Sequence, residues 1–259
     1  MTKASFSLHA IRSVMRRFGV EIRRYEESAR AGFDVDLDPQ AIAIIQRSQA
    51  YTMTSVARLF ALIEAVRYVV RAQIPGDVVE CGVWRGGSMM AAALALLECG
   101  ESVRGLHLFD TYDGMTPPSA KDVAHDGRDA IMLLDASDKN DPLSVWCKAS
   151  IEGVKSALSS TGYDPSRMHF IQGKVEETLP HRAPEAIAIL RLDTDWYMST
   201  RHELEHLYPR LVRGGVLIID DYGHWAGCRQ AVDEYIKASN LKLLLNRIDY
   251  TGRIAVKLD

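Results

Sequence analysis

The 259 residues carry 31 Lys and Arg against 34 Asp and Glu, a formal net charge of −3, with 47% hydrophobic and 25% charged side chains. This is an ordinary globular composition, sized for one large α/β domain with a helical addition, and its charge gives no electrostatic reason to expect nucleic acid as partner. No apolar run approaches the roughly 20 residues of a membrane span, and the N-terminal stretch lacks the unbroken apolar core of a secretory leader. Cys81, Cys99, Cys147 and Cys228 are scattered without metal-like spacing, so a reduced, cytoplasmic protein is expected, with Cys81 and Cys99 packing in a strand and a helix.

Residues 5–25 place Phe6, Leu8, Ile11, Val14, Met15, Phe18 and Ile22 at helical spacing, with Arg12, Arg16, Arg17, Arg23 and Arg24 on much of the other face. Such a helix lies on a membrane or docks on its own or a sister subunit; docking is the reading adopted, and with it a homodimer or larger homo-oligomer. An acidic turn at 34–39 and a short helix at 41–47 complete an N-terminal arm, residues 1–50. The remainder, 51–259, reads as one domain. A helix over 55–73 with Thr54 as N-cap opens it. Strands at 77–82, 104–110, 167–172, 187–193 and 215–220 alternate with helices at 87–98, 142–159, a short one after 172, 199–212 and 226–238. Two further β-rich runs, 241–248 and 252–258, close the chain on a tight turn. Strands alternating with helices and ending in a hairpin predict an α/β fold, a doubly wound, Rossmann-like sheet of seven strands with an antiparallel C-terminal edge. Thr111 to Asp141 is a long polar stretch, of the kind that forms lids and binding loops.

Two of these strands end abruptly in carboxylates: Leu190-Arg191-Leu192-Asp193-Thr194-Asp195-Trp196 and Ile218-Ile219-Asp220-Asp221-Tyr222. Ligands of open α/β sheets bind beyond the carboxyl ends of the strands. If the two strands are neighbours, Asp193, Asp220 and Asp221 converge there, and an all-oxygen set suits a hard divalent ion such as Mg²⁺. The alternative is that Asp195 and Asp221 cap the helices that follow.

The first strand–helix turn reads Glu80-Cys81-Gly82-Val83-Trp84-Arg85-Gly86-Gly87-Ser88. Its Gly82-x-x-x-Gly86-Gly87 spacing puts Trp84 and Arg85 where a dinucleotide fingerprint needs room for a pyrophosphate, which disfavours a nicotinamide-linked oxidoreductase. Asp110, ending the second strand, is placed for ribose hydroxyls. Together with Glu80 it points to an adenosyl ligand with a charged amino-acid tail, S-adenosylmethionine. Trp84 either stacks near that ligand or packs.

VVECGVWRGGS, LFDTYDGM, LRLDTDWYMST and GGVLIIDDYGHW, in that order and at compatible spacing from about Tyr51 onward, resemble the macrocin O-methyltransferase family. The resemblance implies a class I methyltransferase fold, S-adenosylmethionine, a divalent metal and methylation of sugar hydroxyls on a glycosylated small molecule. Carried over by position, Glu80, Gly82 and Ser88 lie near the methionine half of the cofactor. Asp110, with Thr111 beside it, matches the ribose-binding acid, and Gln172-Gly173 the adenine-side turn. Asp193, Asp220 and Asp221 match the metal ligands, with Asp193 also beside the cofactor, and Asp195 a general base. Tyr51-Thr52-Met53-Thr54 resembles a segment that covers the cofactor, so Met53 and Thr54 join the binding set. His224 is a second candidate proton acceptor, with a hydrogen-bonded loop role as its alternative, and Asp193, doubling as metal ligand and base, is the next catalytic candidate. Trp196, Tyr197, Tyr222 and Trp225 divide between core and substrate platform; His107 and His169 read as core histidines. Lys174 and Arg191 have no assigned role. Two other functions remain open: a catechol-type O-methyltransferase, and a non-catalytic cofactor-binding subunit.

Overall fold

A computed structural model describes residues 33–34, 36–141 and 144–258. By its contacts the chain divides into Met1–Leu37 and Asp38–Asp259; the second unit is described here, and the expected basic helix at 5–25 lies outside the described residues. Strands β1 (Asp77–Cys81), β2 (Leu106–Asp110), β3 (Met168–Gln172), β4 (Ile187–Leu192), β5 (Leu211–Ile219), β6 (Asn246–Arg247) and β7 (Arg253–Val256) form one sheet in the order β3-β2-β1-β4-β5-β7-β6. The first five run parallel; β7 is antiparallel to both β5 and β6. β4 (IAILRL) is buried along its whole length, as expected of a central parallel strand covered on both faces.

The described helices are α1 (Pro39–Ser48), α2 (Val56–Arg71), α3 (Gly87–Glu98), α4 (Ala130–Asp135), α5 (Ile151–Ser159), α6 (Val175–Thr178), α7 (Tyr197–Leu207) and α8 (Ala226–Ala238). α1, α2, α3 and α5 pack with one another, and α6, α7 and α8 with one another. Val79, Cys81, Leu190, Leu192, Leu217 and Ile219 share a core with Trp196, Leu204, Trp225 and Tyr235 of the second group. Because successive strand residues alternate faces, Glu80 and Arg191, direct partners in the β1–β4 register, point to the other side.

Several boundaries move for local reasons. Ser55, not Thr54, caps α2 by accepting from Arg58 N. α5 begins only at Ile151, where Ser150 caps it. α7 stops at Leu207, a 3₁₀ turn with Pro209 follows, and β5 starts at Leu211. The leucine run expected as a strand at 241–248 pairs only at Asn246–Arg247; Leu241, Leu243 and Leu245 pack against the core instead. His107 is buried, with Nε2 2.9 Å from Asp77 Oδ2, whereas His169 is exposed because β3 is an edge strand. Among the cysteines, Cys81 and Cys228 are buried, Cys99 and Cys147 half-buried, and all are unpaired as thiols. No described helix is long and apolar enough to cross a membrane.

Candidate active site

The carboxyl ends of β1, β2, β4 and β5 open into a cavity of about 410 Å³. Gly82 shapes its floor: its φ is +83°, and a Cβ there would overlap the Asp193 carbonyl. Glycine is therefore what lets the turn after β1 press against the turn after β4. Asp193 N donates to Cys81 O and Asp220 N to Leu192 O, each at 2.9 Å, so the ladder itself carries both aspartates to the rim. Asp195 follows with φ +68°, the left-handed region that Asp tolerates better than most residues.

Carboxylate oxygens of Asp193, Asp195 and Asp221 lie within 4.8 Å of one another. Burial, with the neighbouring carboxylates, pushes Asp221 well above the usual range and Asp195 up to about 7. Asp221 Oδ2 is buried without a hydrogen-bond partner among the described residues. A crowded set of carboxylates, half-buried at Asp193 and Asp195 and buried at Asp221 with an orphaned oxygen, is unfavourable alone and fits a divalent cation. Asp220 differs from the expectation. Its Oδ1 accepts from Arg191 Nη2 and its Oδ2 from Arg58 Nη1, so two guanidinium groups hold it apart from the converging trio.

Arg191 is the buried hub beneath these groups, with its side chain 3% exposed. Its Nη1 donates to Glu80 Oε1 and to Asp193 Oδ2, both at 2.6 Å, and its Nη2 to Thr54 Oγ1 at 2.9 Å. Burial pushes the Glu80 carboxyl up to about 8, against the pull of Arg191. Glu80 thus sits behind the cavity rather than on its wall, pairing Arg191.

On the other side of the cavity Asp110 is fixed by the same glycine turn. Its Oδ2 accepts from Val83 N at 2.7 Å and Trp84 N at 3.0 Å, and its Oδ1 from Tyr112 N at 2.6 Å. Thr111 Oγ1 approaches Oδ1 at 3.4 Å as a fourth donor, which matches the about four lone-pair directions of a carboxylate. Met53, Thr54, Gly82, Trp84, Ser88, Asp110, Thr111 and Gly173 all line the cavity, as do Asp193, Asp195, Asp220, Asp221 and His224. Gln172 is exposed and outside the lining; its Nε2 reaches Thr111 O at 3.5 Å. His224 Nδ1 lies 3.1 Å from Tyr250 Oη, with the His125 ring 4.9 Å away, and burial draws its pKa below the usual value.

The 111–141 stretch is hydrogen-bonded to the starts of α7 and α8. Asp122, fully buried, accepts from Ser119 N and Oγ, both at 2.7 Å, and through Oδ1 from Tyr197 N at 2.8 Å. It thereby caps α7, which has no cap from its own N-cap residue Trp196. Neither is Asp221 a cap: α8 starts after Trp225, again without a side-chain cap. The capping reading of Asp195 and Asp221 therefore does not hold. Trp196 Nε1 donates to Thr116 O at 2.8 Å, and Ala226 N to Val123 O at 2.9 Å. Trp196 and Trp225 are buried and meet edge-on at 4.9 Å, so packing dominates their role. Arg58, Arg191 and Asp122 were not singled out by motif. For Arg191 a signal existed, a lone charge within an apolar strand, since such a charge must find partners.

A family model described as Macrocin-O-methyltransferase (TylF) matches residues 7–256. The 8-demethyl-8-(2,3-dimethoxy-alpha-L-rhamnosyl)-tetracenomycin-C 4'-O-methyltransferase of Streptomyces olivaceus is 35% identical over 84% of this chain and 79% of its own length. Mycinamicin III 3''-O-methyltransferase of Micromonospora griseorubida is 35% identical over 78% of this chain and 77% of its own. Among solved structures, the O-methyltransferase NovP superposes with a TM-score of 0.69 at 28% identity, covering 81% of this chain and 83% of that one. The chain belongs to the macrocin O-methyltransferase family and is an O-methyltransferase built on the class I methyltransferase fold.

Proposed function

We propose that this enzyme transfers the methyl group of S-adenosylmethionine to a sugar hydroxyl of a glycosylated natural product, assisted by a divalent cation such as Mg²⁺. The observation that carries the reading is that one cavity joins the Gly82–Ser88 turn and Asp110, suited to the cofactor, to the aspartate cluster at the ends of β4 and β5. The tetracenomycin relative, named for 4'-O-methylation of a rhamnosyl-bearing compound, supports the acceptor class.

Met53, Thr54, Gly82, Trp84, Ser88, Asp110, Thr111 and Gly173 would hold the cofactor, and Asp193 and Asp221, completed by Asp220, the cation. Bound there, the cofactor supplies an electrophilic sulfonium methyl and the cation a Lewis acid that orients neighbouring oxygens and acidifies a hydroxyl. The chain's own work is positional. Asp110 and Val83–Trp84 fix the donor side, and Gly82 fixes its distance from the Asp193 turn, the arrangement on which proximity catalysis depends. Asp195, beside Asp221 on the cavity wall, takes the hydroxyl proton as a C–S bond gives way to an O–C bond; His224 is the second acceptor in reach. Phe109, Leu133, Trp196 and Trp225 present apolar surface that excludes water.

The test is a panel of deoxysugar glycosides and catechols with methyl-labelled cofactor, with and without chelator. Label should enter a sugar hydroxyl, stop on chelation and resume with Mg²⁺. Turnover of catechols alone would sink the sugar assignment, and transfer indifferent to chelation would sink the cation.

A further inference from the structure

We propose that Arg58 is a built-in substitute for the divalent cation, holding the oxygen of Asp220 that the cation needs and yielding it when the cation arrives. The inference rests on the cation reading above. Its grounds are the way two arginines divide the two oxygens of Asp220. Arg191 takes one oxygen from each of two aspartates, Oδ2 of Asp193 and Oδ1 of Asp220. Buried at 3% exposure and also tied to Glu80, it is a permanent brace. Such a brace orients a ligating carboxylate by holding its outer oxygen. The other oxygen of Asp220, Oδ2, is the one bound by Arg58 Nη1.

Arg58 is anchored elsewhere as well. Its Nε donates to Asp249 Oδ2 at 3.1 Å and Ser55 Oγ at 3.3 Å, and its Cγ and Cδ pack where a Cβ on Gly252 would come within 2.9 Å. Turning the terminal nitrogens off Asp220 leaves the stem and the Nε bonds in place. Nearby, Asp221 Oδ2 is buried without a partner among the described residues, and Asp221 is only 8% exposed. The site therefore has a carboxylate oxygen waiting for a cation and a second one occupied by a displaceable positive charge. Two cations that compete for one oxygen are negatively coupled, and by linkage each weakens the other. Since Ser55 caps α2 and Thr54 bonds Arg191, the competition is tied to the segment that lines the cofactor side.

Mn²⁺ binding to the full-length protein, followed by loss of the free-ion paramagnetic resonance signal without cofactor or acceptor, tests this directly. Arg58→Gln should bind Mn²⁺ about tenfold or more tightly than the parent, the size of a typical coupling; Arg58→Lys, which keeps the charge, should stay near the parent. The gain should vanish when Arg58→Gln is combined with Asp220→Asn. Thermal melts verify folding, and Arg58→Met, which keeps a stem on Gly252, replaces Gln if that variant does not fold. Unchanged or weaker binding in Arg58→Gln, where the parent binds Mn²⁺, overturns the inference. So does a gain that survives Asp220→Asn, which would be long-range charge alone. No Mn²⁺ binding by any folded variant overturns the cation reading and this inference with it.

Discussion

Arg191→Met isolates the buried hub. The substitution keeps an unbranched side chain of similar reach but removes donors to Glu80, Asp193, Thr54 and Asp220. Glu80 is 1% exposed and Asp220 3% exposed, so water cannot replace the guanidinium. Breaking a buried ion pair by deleting one partner costs about 3–5 kcal/mol, because the remaining charge is left uncompensated. At roughly 2–4 °C per kcal/mol for a domain of this size, the melting temperature should fall by about 6–20 °C. Arg191→Lys should not restore it, since a point charge cannot serve four acceptors in a planar fork. Adding Asp220→Asn should recover part of the loss by removing one stranded carboxylate. Equilibrium urea unfolding and thermal melts measure all three. A loss below about 1 kcal/mol would refute the reasoning, because it would mean that the carboxylates are neutral or hydrated without the arginine.

Asp122→Ala should cost about 1–3 kcal/mol by stranding the Tyr197 and Ser119 donors and should speed limited proteolysis within residues 113–141; an unchanged cleavage pattern would count against Asp122 as the anchor of that stretch. Asp38 caps α1 and pairs with Arg67, whose hydrogen bond lowers its pKa to about 2 from 3.8. A lowered carboxylate pKa stabilises above the unfolded value and loses that contribution as pH falls through the folded value. Asp38→Asn keeps a good cap and should therefore be less stable than the parent at neutral pH by under about 1 kcal/mol, given the partial exposure. The gap should close between about pH 4 and pH 2, and a gap independent of pH in acid-range melts would refute it.

The parallel strands were legible because burial on both faces writes itself as short apolar runs such as LHLFD and IAILRL, ended by turn residues. The leucine run at 241–245 has the same look but no partner strand beside it, so the apolar signal is used for packing and not for pairing. The carboxylates at the ends of β4 and β5 were legible for the same reason as the strands. What divides Asp220 from Asp221 was not. The two are adjacent and identical, and only the packing shows that one faces Arg58 and Arg191 while the other faces Asp195. Arg58 reads as a polar position on an amphipathic helix; its partner lies 162 residues away, a distance no local pattern spans. Arg191 and Glu80 each broke an apolar run, but pairing them required knowing that β1 and β4 are neighbours in the sheet.

That neighbour relation also explains why the donor and acceptor sides can be held at a set distance with few side chains. Gly82 and Asp193 meet backbone to backbone, so the cofactor turn cannot drift from the carboxylate turn without breaking the β1–β4 ladder. Gly223 repeats the device on the far side, where a Cβ would collide with the Tyr250 carbonyl, while Thr251 Oγ1 donates to Asp220 O at 2.7 Å. The turn before β7 is thereby fastened to the end of β5. Backbone contacts of this kind have no rotamers to lose and resist reorganisation better than side-chain clamps. In such a frame the adjustable parts are the charges. Arg191 is walled in, whereas Arg58 stands at the cavity surface with Asp249 and Ser55 to hold it.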